Sequence, residues 1–172
     1  MFVTASDGPV RVVMVPSPIG GIRVEATPGR LLRVGLLESF DDSLANDALS
    51  LLKPGEDFPH LRRAVEFLER YFAGERASWT DGKIPPGTDF TRAVWGATLR
   101  IPFGTTMSYG GLARAVGRPG AARAVGNAMA RNPLPILIPC HRVITSEGKL
   151  GGYGGSPAVK RWLLEFEGVK VR

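Results

Sequence analysis

The spacing of apolar residues changes once along this sequence, and the change divides the chain into two kinds of structure. Near its start, β-branched residues dominate three short runs, Val10–Val15, Ile22–Ala26 and Leu31–Leu37, with proline and glycine between them. These runs predict a small antiparallel sheet. Further along, apolar residues recur at helical spacing, from Pro59 to Phe72 and again after Phe90. Strands followed by helices predict an α/β first domain and a mostly helical second domain.

The charge balance changes sign near the predicted domain boundary. Residues 38–58 have mixed composition and are interpreted as a loop with a short helix, and residues 75–88 as a linker. We place the boundary near residue 83, between domains of residues 1–82 and 83–172. The first domain holds 9 Lys+Arg and 12 Asp+Glu, whereas the second holds 13 and 4. A basic domain attracts polyanions, with nucleic acid as the first candidate, although a basic protein without such a partner has the same charge.

Several classes of protein do not fit this composition. The chain has one cysteine, so it can form neither an internal disulfide nor a cysteine-rich zinc site, and it has two histidines, His60 and His141. A reducing, cytoplasmic location is therefore expected. No apolar run approaches the roughly 20 residues of a membrane span, and the N-terminus does not predict a secretory signal. We expect no membrane association.

A pair of short helices is predicted in the basic domain. Tyr109–Val116 follows Ser108, a suitable N-cap, and Ala121–Arg131 ends at Asn132-Pro133. The tight turn between them, residues 117–120, contains two glycines. This arrangement indicates a helix-turn-helix, although many helical hairpins bind nothing.

The second helix of the pair has an outer face of unusual composition. Ala122, Val125 and Met129 are expected to face the core, and an outer stripe is formed by Arg123, Asn127 and Arg131. The rest of the outer face carries small residues, Ala124, Gly126 and Ala130. A face lined with small residues can approach a partner closely. The alternative is a solvated arginine face without a partner.

Two further helices complete the second domain. The first has an apolar face of Phe90, Val94 and Leu99 and ends near Ile101-Pro102. The second, Pro157–Glu167, closes the chain and has an apolar face of Val159, Trp162, Leu163 and Phe166. Trp95 and Trp162 are expected in the core.

The single cysteine lies in the most chemically suggestive segment. Leu134–Ile138 is interpreted as a buried strand or extended segment that leads to Cys140 and His141. Only a thiolate is a nucleophile, and a basic neighbour can lower its pKa. Neighbours on an extended chain point apart, so a water would have to bridge the two side chains. Glu165 and Glu167 are both candidates to orient the histidine. The alternative is a small buried cysteine of the core.

The whole stretch from Gly87 to Gly168 resembles the O6-alkylguanine-DNA alkyltransferase family. The resemblance is strongest in the active-site motif, residues 138–144 with the sequence IPCHRVI, and weaker in the early turn SPIG at residues 17–20. Further motifs carry it in the same order as in the family: Gly87-Thr88-Asp89-Phe90, Val94-Trp95, Ile101-Pro102-Phe103-Gly104, Ser108-Tyr109, Ala121–Gly126, Arg131-Asn132-Pro133 and Tyr153-Gly154-Gly155.

The resemblance implies a role for each matching residue of the reaction centre. Cys140 would accept the alkyl group, and His141 would take its proton through a water. Glu167, rather than Glu165, would orient His141, and Asn132 would brace the turn before the cysteine. Tyr109 would press on the phosphate of the target nucleotide and donate a proton to the departing guanine.

The resemblance also implies DNA contacts and a substrate pocket. Arg123 would enter the duplex and fill the space of the everted nucleotide, while a helix face of small residues approaches the minor groove. The remaining DNA-binding residues of that face are Ala121, Ala122, Ala124 and Gly126, with Tyr109 beside them. The pocket would be lined by Val143, Tyr153, Gly154, Pro135 and Met129.

Taken together, the resemblance implies a DNA repair protein that acts once. The first domain would be ribonuclease-H-like, and the second would be winged-helix-like with a helix-turn-helix. The alkyl group would move irreversibly from guanine O6 in double-stranded DNA to Cys140, with thymine O4 as a second candidate substrate. No cofactor or metal is implied, and a monomer is expected. The alternatives are a noncatalytic protein that binds alkylated DNA and a helix-turn-helix transcription factor.

Overall fold

The computed structural model of the protein describes residues 8–37, 57–81, 83–151 and 156–171. The chain divides into two compact units, Met1–Glu75 and Arg76–Arg172, so the division falls inside the predicted linker of residues 75–88. Apart from its last two residues, the segment 38–58 that was interpreted as a loop lies outside the described residues. The described helices include none with the length and apolarity needed to cross a bilayer.

The first unit contains the antiparallel sheet predicted from the sequence, in the order β1-β2-β3. Its strands are β1 (Arg11–Val15), β2 (Gly21–Thr27) and β3 (Arg30–Leu37). The register aligns Val13, Val24 and Val34, and all three are buried. Alternation along each strand therefore gives the sheet one apolar face, as period-two patterning requires.

One long helix supplies the apolar surface that this sheet needs. Helix α1 spans Pro59–Phe72, the range predicted, and begins with a proline at its first turn, where no backbone donor is lost. It buries Leu61, Val65 and Leu68, and it ends before Gly74, whose φ of 86° suits glycine.

The second unit is mostly helical, as predicted. Its helices are α2 (Asp89–Thr98), α3 (Tyr109–Ala115), α4 (Ala122–Ala130) and α5 (Pro157–Phe166). Two short parallel strands, β4 (Met107–Ser108) and β5 (Val143–Ile144), join distant parts of the unit. A 3-10 turn, Cys140–Arg142, directly precedes β5.

Helix α2 buries only part of the predicted face, in which Val94 is buried as expected. Thr88 caps it by accepting a hydrogen bond from the Thr91 amide. The indole of Trp95 donates to the carbonyl of Ala128 at 2.9 Å, and this bond fixes α2 against α4. Phe90 and Leu99, which were expected on the buried face, are only half-buried. The buried face also includes Thr91, Trp95 and Thr98. The two threonines tolerate burial because their hydroxyls form local hydrogen bonds.

The predicted helix pair is confirmed as α3 and α4. Ser108 caps α3 by accepting a hydrogen bond from the Gly111 amide at 3.0 Å. Gly117 and Gly120 bound the connecting turn with φ of 71° and 88°, a conformation that glycine adopts without strain. The turn therefore holds the two helices as a compact pair.

Candidate active site

A tight turn, not a strand, leads to the cysteine. The interpretation of Leu134–Ile138 as a strand is wrong, although four of its five residues are buried as expected. The Ile138 amide donates to the Leu134 carbonyl at 2.8 Å, and Ile136 adopts a φ of 72°, which is unusual for a β-branched residue. Prolines at 133 and 135 lack the backbone donors that a strand ladder needs, so burial here occurs without a sheet.

Asn132 closes this turn with both ends of its amide. Its Nδ2 donates to the Ile138 carbonyl at 2.9 Å, and its Oδ1 accepts from the Leu134 amide at 3.0 Å. The side chain also makes a hydrogen bond that lowers the pKa of Cys140. Asn132 thus connects the end of α4 to the segment that carries the sulfur.

Cys140 lies in a 3-10 turn and is 5% exposed. The sequence reasoning assumed an extended chain at Cys140 and His141, and this assumption is wrong. Burial raises the pKa of the Cys140 thiol, and the Asn132 hydrogen bond and the charge of Lys160 oppose this effect in part. The resting sulfur is therefore protonated at neutral pH, and attack requires a base to remove its proton.

His141 and Glu167 form a buried pair beside the cysteine. Nε2 of His141 lies 2.8 Å from Oε1 of Glu167, and neither side chain is exposed. Burial lowers the pKa of His141, and Glu167 opposes this only in part, so the ring is neutral. The other ring nitrogen, Nδ1, is buried and not engaged by Glu167. A neutral imidazole with one nitrogen oriented by a carboxylate has the arrangement of a general base.

Glu167 is held by more groups than the sequence predicted. Nε of Arg142 donates to both carboxylate oxygens, at 2.9 and 3.2 Å, and Nη2 donates to Oε1 at 2.9 Å. The Gly104 amide donates to Oε2 at 3.0 Å. Burial disfavours the charged carboxylate, but the hydrogen bonds from His141 and Arg142 and the charge of Arg142 outweigh it and lower the pKa of Glu167 to about 2. Glu165, the other candidate, is exposed and lies 3.8 Å from Arg161.

Tyr109 stands at the first position of α3, where the strand pair brings it close to the cysteine segment. Met107 and Ser108 pair with Val143 and Ile144, three and four residues after the sulfur. Burial raises the pKa of Tyr109, and the charge of Cys140 raises it further. The phenol therefore keeps its proton at neutral pH and can act as a donor.

Lys160 is a residue of the site that the sequence analysis missed. Its side chain is fully buried, and Nζ donates to the Val143 carbonyl at 2.6 Å and lies 5.8 Å from the centre of the Tyr109 ring. Burial lowers its pKa to about 8, and the charge of Cys140 opposes this. The helical pattern does not distinguish this buried lysine from an exposed one, because lysine is counted as a polar residue that faces solvent.

The buried face of α5 consequently differs from the expected one. Leu163 is buried as predicted, but Lys160 and Leu164 are its buried neighbours. Trp162 is half-buried rather than in the core, and it stacks on Phe166 with ring centres 4.9 Å apart. Trp95 is buried, as expected.

The predicted DNA-binding helix presents the expected outer stripe. Arg123, Asn127 and Arg131 of α4 are exposed, together with Ala124. Ala121, Ala122 and Gly126 are half-buried, and a Cβ on Gly126 would lie 3.9 Å from the Tyr109 ring. Val125, Ala128 and Met129 form the buried face.

The predicted pocket residues are only partly described. Val143 is buried, and Pro135 is half-buried. Met129 is buried, and its sulfur accepts a hydrogen bond from the Thr98 hydroxyl at 3.7 Å. Tyr153 and Gly154 lie outside the described residues.

Comparison with known proteins supports the class of protein that this site suggests. Residues 89–169 match the family described as 6-O-methylguanine DNA methyltransferase, DNA binding domain. A methylated-DNA–protein-cysteine methyltransferase of Methanosarcina acetivorans is 47% identical over 113 residues, which are 66% of this chain and 72% of that protein.

Two solved structures extend the similarity to nearly the whole chain. The crystal structure of the Mycobacterium tuberculosis O6-methylguanine methyltransferase is 42% identical, covers 92% of this chain and 93% of its own, and gives a TM-score of 0.72. A structure of the same protein in complex with DNA is also 42% identical, with 90% of each chain covered and a TM-score of 0.71.

The fold and the site thus define a cysteine-dependent DNA alkyltransferase. The chain belongs to the methylated-DNA–protein-cysteine methyltransferase family.

Proposed function

We propose that this protein repairs DNA by moving an alkyl group from O6 of guanine to the sulfur of Cys140. The observation that carries the proposal is the single cysteine of the chain, which lies in a buried cluster with the His141–Glu167 pair, Asn132 and Tyr109. Membership of the family supports the same conclusion, since its named relatives are methylated-DNA–protein-cysteine methyltransferases.

The proposed reaction is an in-line displacement at a saturated carbon. Nδ1 of His141 takes the thiol proton through a bridging water, and Glu167 balances the charge that develops on the imidazole. The sulfur then forms a bond to the alkyl carbon while the carbon–O6 bond breaks, and the electron pair leaves with guanine. Tyr109 protonates the departing base and is reprotonated, through solvent, by the proton that His141 took from the thiol. Overall the sulfur exchanges its proton for the alkyl group, and guanine leaves with the proton.

The product explains why each molecule would act once. A thioether offers water no leaving group, so Cys140 cannot be regenerated by hydrolysis. The chemistry uses side chains of this chain and a bridging water, and needs no cofactor or metal. Thymine O4 presents a similar alkylated oxygen and is a second candidate substrate.

The substrate base must leave the duplex to reach the sulfur of Cys140, a residue that is 5% exposed. Everting a nucleotide costs a few kcal/mol, and an inserted side chain such as Arg123 can offset part of this cost. Exposed Arg123 and the neighbouring small residues Ala124 and Gly126 suit close approach to a minor groove. Contacts to the phosphate backbone would dominate, so binding should weaken as salt increases.

The finer description of the fold belongs to the same proposal. We assign a ribonuclease-H-like first domain and a winged-helix-like second domain on the basis of the resemblance. The domain boundary near residue 83, a monomeric state and a cytoplasmic location stay predictions from the sequence.

Intact-mass analysis tests the proposed function directly. After incubation with duplex DNA that contains O6-methylguanine, the protein should carry one methyl group in place of the thiol proton, a net gain of one CH2 per chain, and no more with time. Cys140→Ala should gain none while still binding the duplex. Binding without any gain in mass by the unmodified protein would favour a noncatalytic lesion-binding protein, and sequence-specific binding without regard to damage would favour a transcription factor.

A further inference from the structure

A turn at residues 101–104, with the sequence IPFG, has no role in the mechanism above. The Thr105 amide and hydroxyl donate to the Pro102 carbonyl at 3.2 and 2.9 Å and close the turn. Gly104 occupies the third position with a φ of 74°, as the third residue of a type II turn does, and glycine is favoured there. The turn itself does not use the amide of this residue, so the amide can bind another group.

Gly104 contacts Glu167 at two places. Its amide donates to Oε2 at 3.0 Å, while Oε1 lies 2.8 Å from Nε2 of His141. A Cβ at position 104 would lie 2.9 Å from the backbone carbonyl oxygen of Glu167, closer than real Cβ atoms approach such an atom. The turn can therefore pack this closely against the end of α5 only with a glycine at this position.

The same turn also holds a second partner of the carboxylate. Nη1 of Arg142 donates to the Ile101 carbonyl at 2.7 Å, and its Nε and Nη2 donate to Glu167. The Phe103 ring centre lies 5.8 Å from the guanidinium carbon. The turn thus holds the carboxylate directly, through the Gly104 amide, and indirectly, through Arg142.

We propose that Gly104 is a positioning residue of the alkyl transfer, which acts through Glu167 on His141. The proposal rests on the function proposed above. With Oε2 fixed by the Gly104 amide, Oε1 faces the histidine and accepts a hydrogen bond from Nε2–H, since an ionised carboxylate has no proton to donate. The ring is then held as the tautomer whose Nδ1 carries a lone pair, which is the form that can take the thiol proton.

Gly104→Ala would push the turn and the end of α5 apart. The new Cβ reaches an ordinary contact distance of 3.4 Å only if the two segments separate by about 0.5 Å. Because a misplacement of about 1 Å can reduce a rate about a hundred-fold, we expect transfer at neutral pH to be about ten-fold slower. The deficit should shrink as the pH rises toward the raised pKa of the Cys140 thiol, where solvent removes the proton without help from His141.

Gly148→Ala is the matched control for the backbone conformation. Gly148 has a φ of 77°, but a Cβ there would meet no atom within 4 Å. This variant therefore carries a similar backbone strain without displacing a neighbour, and its pH–rate profile should match that of the unmodified protein. A Gly104→Ala protein that is slower by the same factor at every pH would mean that Gly104 has only a structural role and would overturn the proposal.

Nitrogen NMR of the histidine rings tests the positioning without alkyl transfer. The chain has two histidines, and His60, which belongs to the first unit, serves as an internal reference. We expect His141 to be a single tautomer, protonated on Nε2, in the unmodified and Gly148→Ala proteins, and a mixture of both tautomers in Gly104→Ala. The same charged groups act on this ring in all three proteins: Glu167, Arg142 and Lys160.

An ester in place of the Phe103–Gly104 amide decides the matter should Gly104→Ala fail to fold. The ester removes the N–H that binds Oε2, but it adds no Cβ and lets the backbone keep the same φ. It should give the same mixture of tautomers and the same pH-dependent slowing. A single Nε2-protonated tautomer of His141 in the ester protein would overturn the proposal. If the ring responds as expected but the unmodified protein transfers no alkyl group, the proposed function fails while the positioning of His141 stands.

Discussion

Replacing Glu167 by glutamine tests the electrostatic reasoning about the site most directly. The pKa of Glu167 is lowered from 4.5 to about 2, and its side chain is fully buried. A depressed carboxylate pKa stabilises the folded state above the unfolded-state pKa, and this contribution is lost as pH falls through the folded-state value. The difference between the folded-state and unfolded-state pKa values corresponds to a stabilisation of about 3 kcal/mol at neutral pH. This stabilisation should fall to less than half of its neutral-pH value by about pH 3.

The variant should lose this contribution and also leave Arg142 buried without its counter-charge. Removing one partner of a buried ion pair typically costs about 3–5 kcal/mol. We therefore expect Glu167→Gln to reduce the free energy of unfolding of the second unit by about 3 kcal/mol or more at pH 7. The difference from the unmodified protein should shrink as the pH is lowered from 5 toward 2.

Urea unfolding followed by tryptophan fluorescence is a suitable assay. All three tryptophans, Trp79, Trp95 and Trp162, lie in the second unit, so their emission reports on that unit alone. Glu165→Gln is the matched control, because Glu165 is an exposed partner of Arg161 and its loss should cost less than about 1 kcal/mol. A Glu167→Gln protein as stable as the unmodified one at pH 7, or a deficit that does not vary with pH, would refute the reasoning.

Three further substitutions test other residues of the candidate site and of the predicted DNA-binding helix. Gly151→Ala should slow transfer from duplex DNA, because a Cβ there would lie 2.8 Å from the Tyr109 ring at a φ of 67°. Gly148→Ala has a similar φ but meets no atom within 4 Å, so equal single-turnover rates for both variants would exclude displacement of the ring. Asn132→Ala should reduce the free energy of unfolding by about 2 kcal/mol through lost turn hydrogen bonds, and slow transfer more at neutral than at high pH. Unfolding curves and pH–rate profiles measure the two effects, and an Asn132→Ala protein with unchanged stability and an unchanged pH–rate profile would contradict both expectations. Arg123→Ala should slow repair of duplex DNA more than reaction with free O6-alkylguanine, and equal losses on both substrates would exclude its insertion into the duplex.

The sequence predicted well those features that depend on local patterning. The strands β1 to β3, helix α1 and the α3–α4 pair follow from spacing, caps and glycine turns, and each lies within one or two residues of its predicted bounds. The outer stripe of α4 follows from the same periodicity. Such features are fixed by interactions a few residues apart, so a single sequence is sufficient to place them.

The parts that were missed depend on contacts between distant segments. Arg142 meets Glu167 across 25 residues, and the Gly104 amide meets the same carboxylate across 63. Lys160 tolerates burial because the Val143 carbonyl, 17 residues earlier, accepts a hydrogen bond from its Nζ. A helical pattern that counts charged residues as exposed cannot identify such positions, because burial here is compensated by a partner that the pattern does not include.

The same long-range contacts explain how a buried cysteine could serve as the nucleophile of the proposed reaction. Burial alone would keep the thiol of Cys140 protonated and inert. The neutral His141 provides a place for the proton, while Glu167 and Arg142 cancel each other and fix the ring. The charge of Lys160 lowers the pKa of Cys140 and so opposes the effect of burial in part. In the proposed reaction a base held ready beside the sulfur is needed, because a thiol buried this deeply becomes a nucleophile only when an acceptor takes its proton.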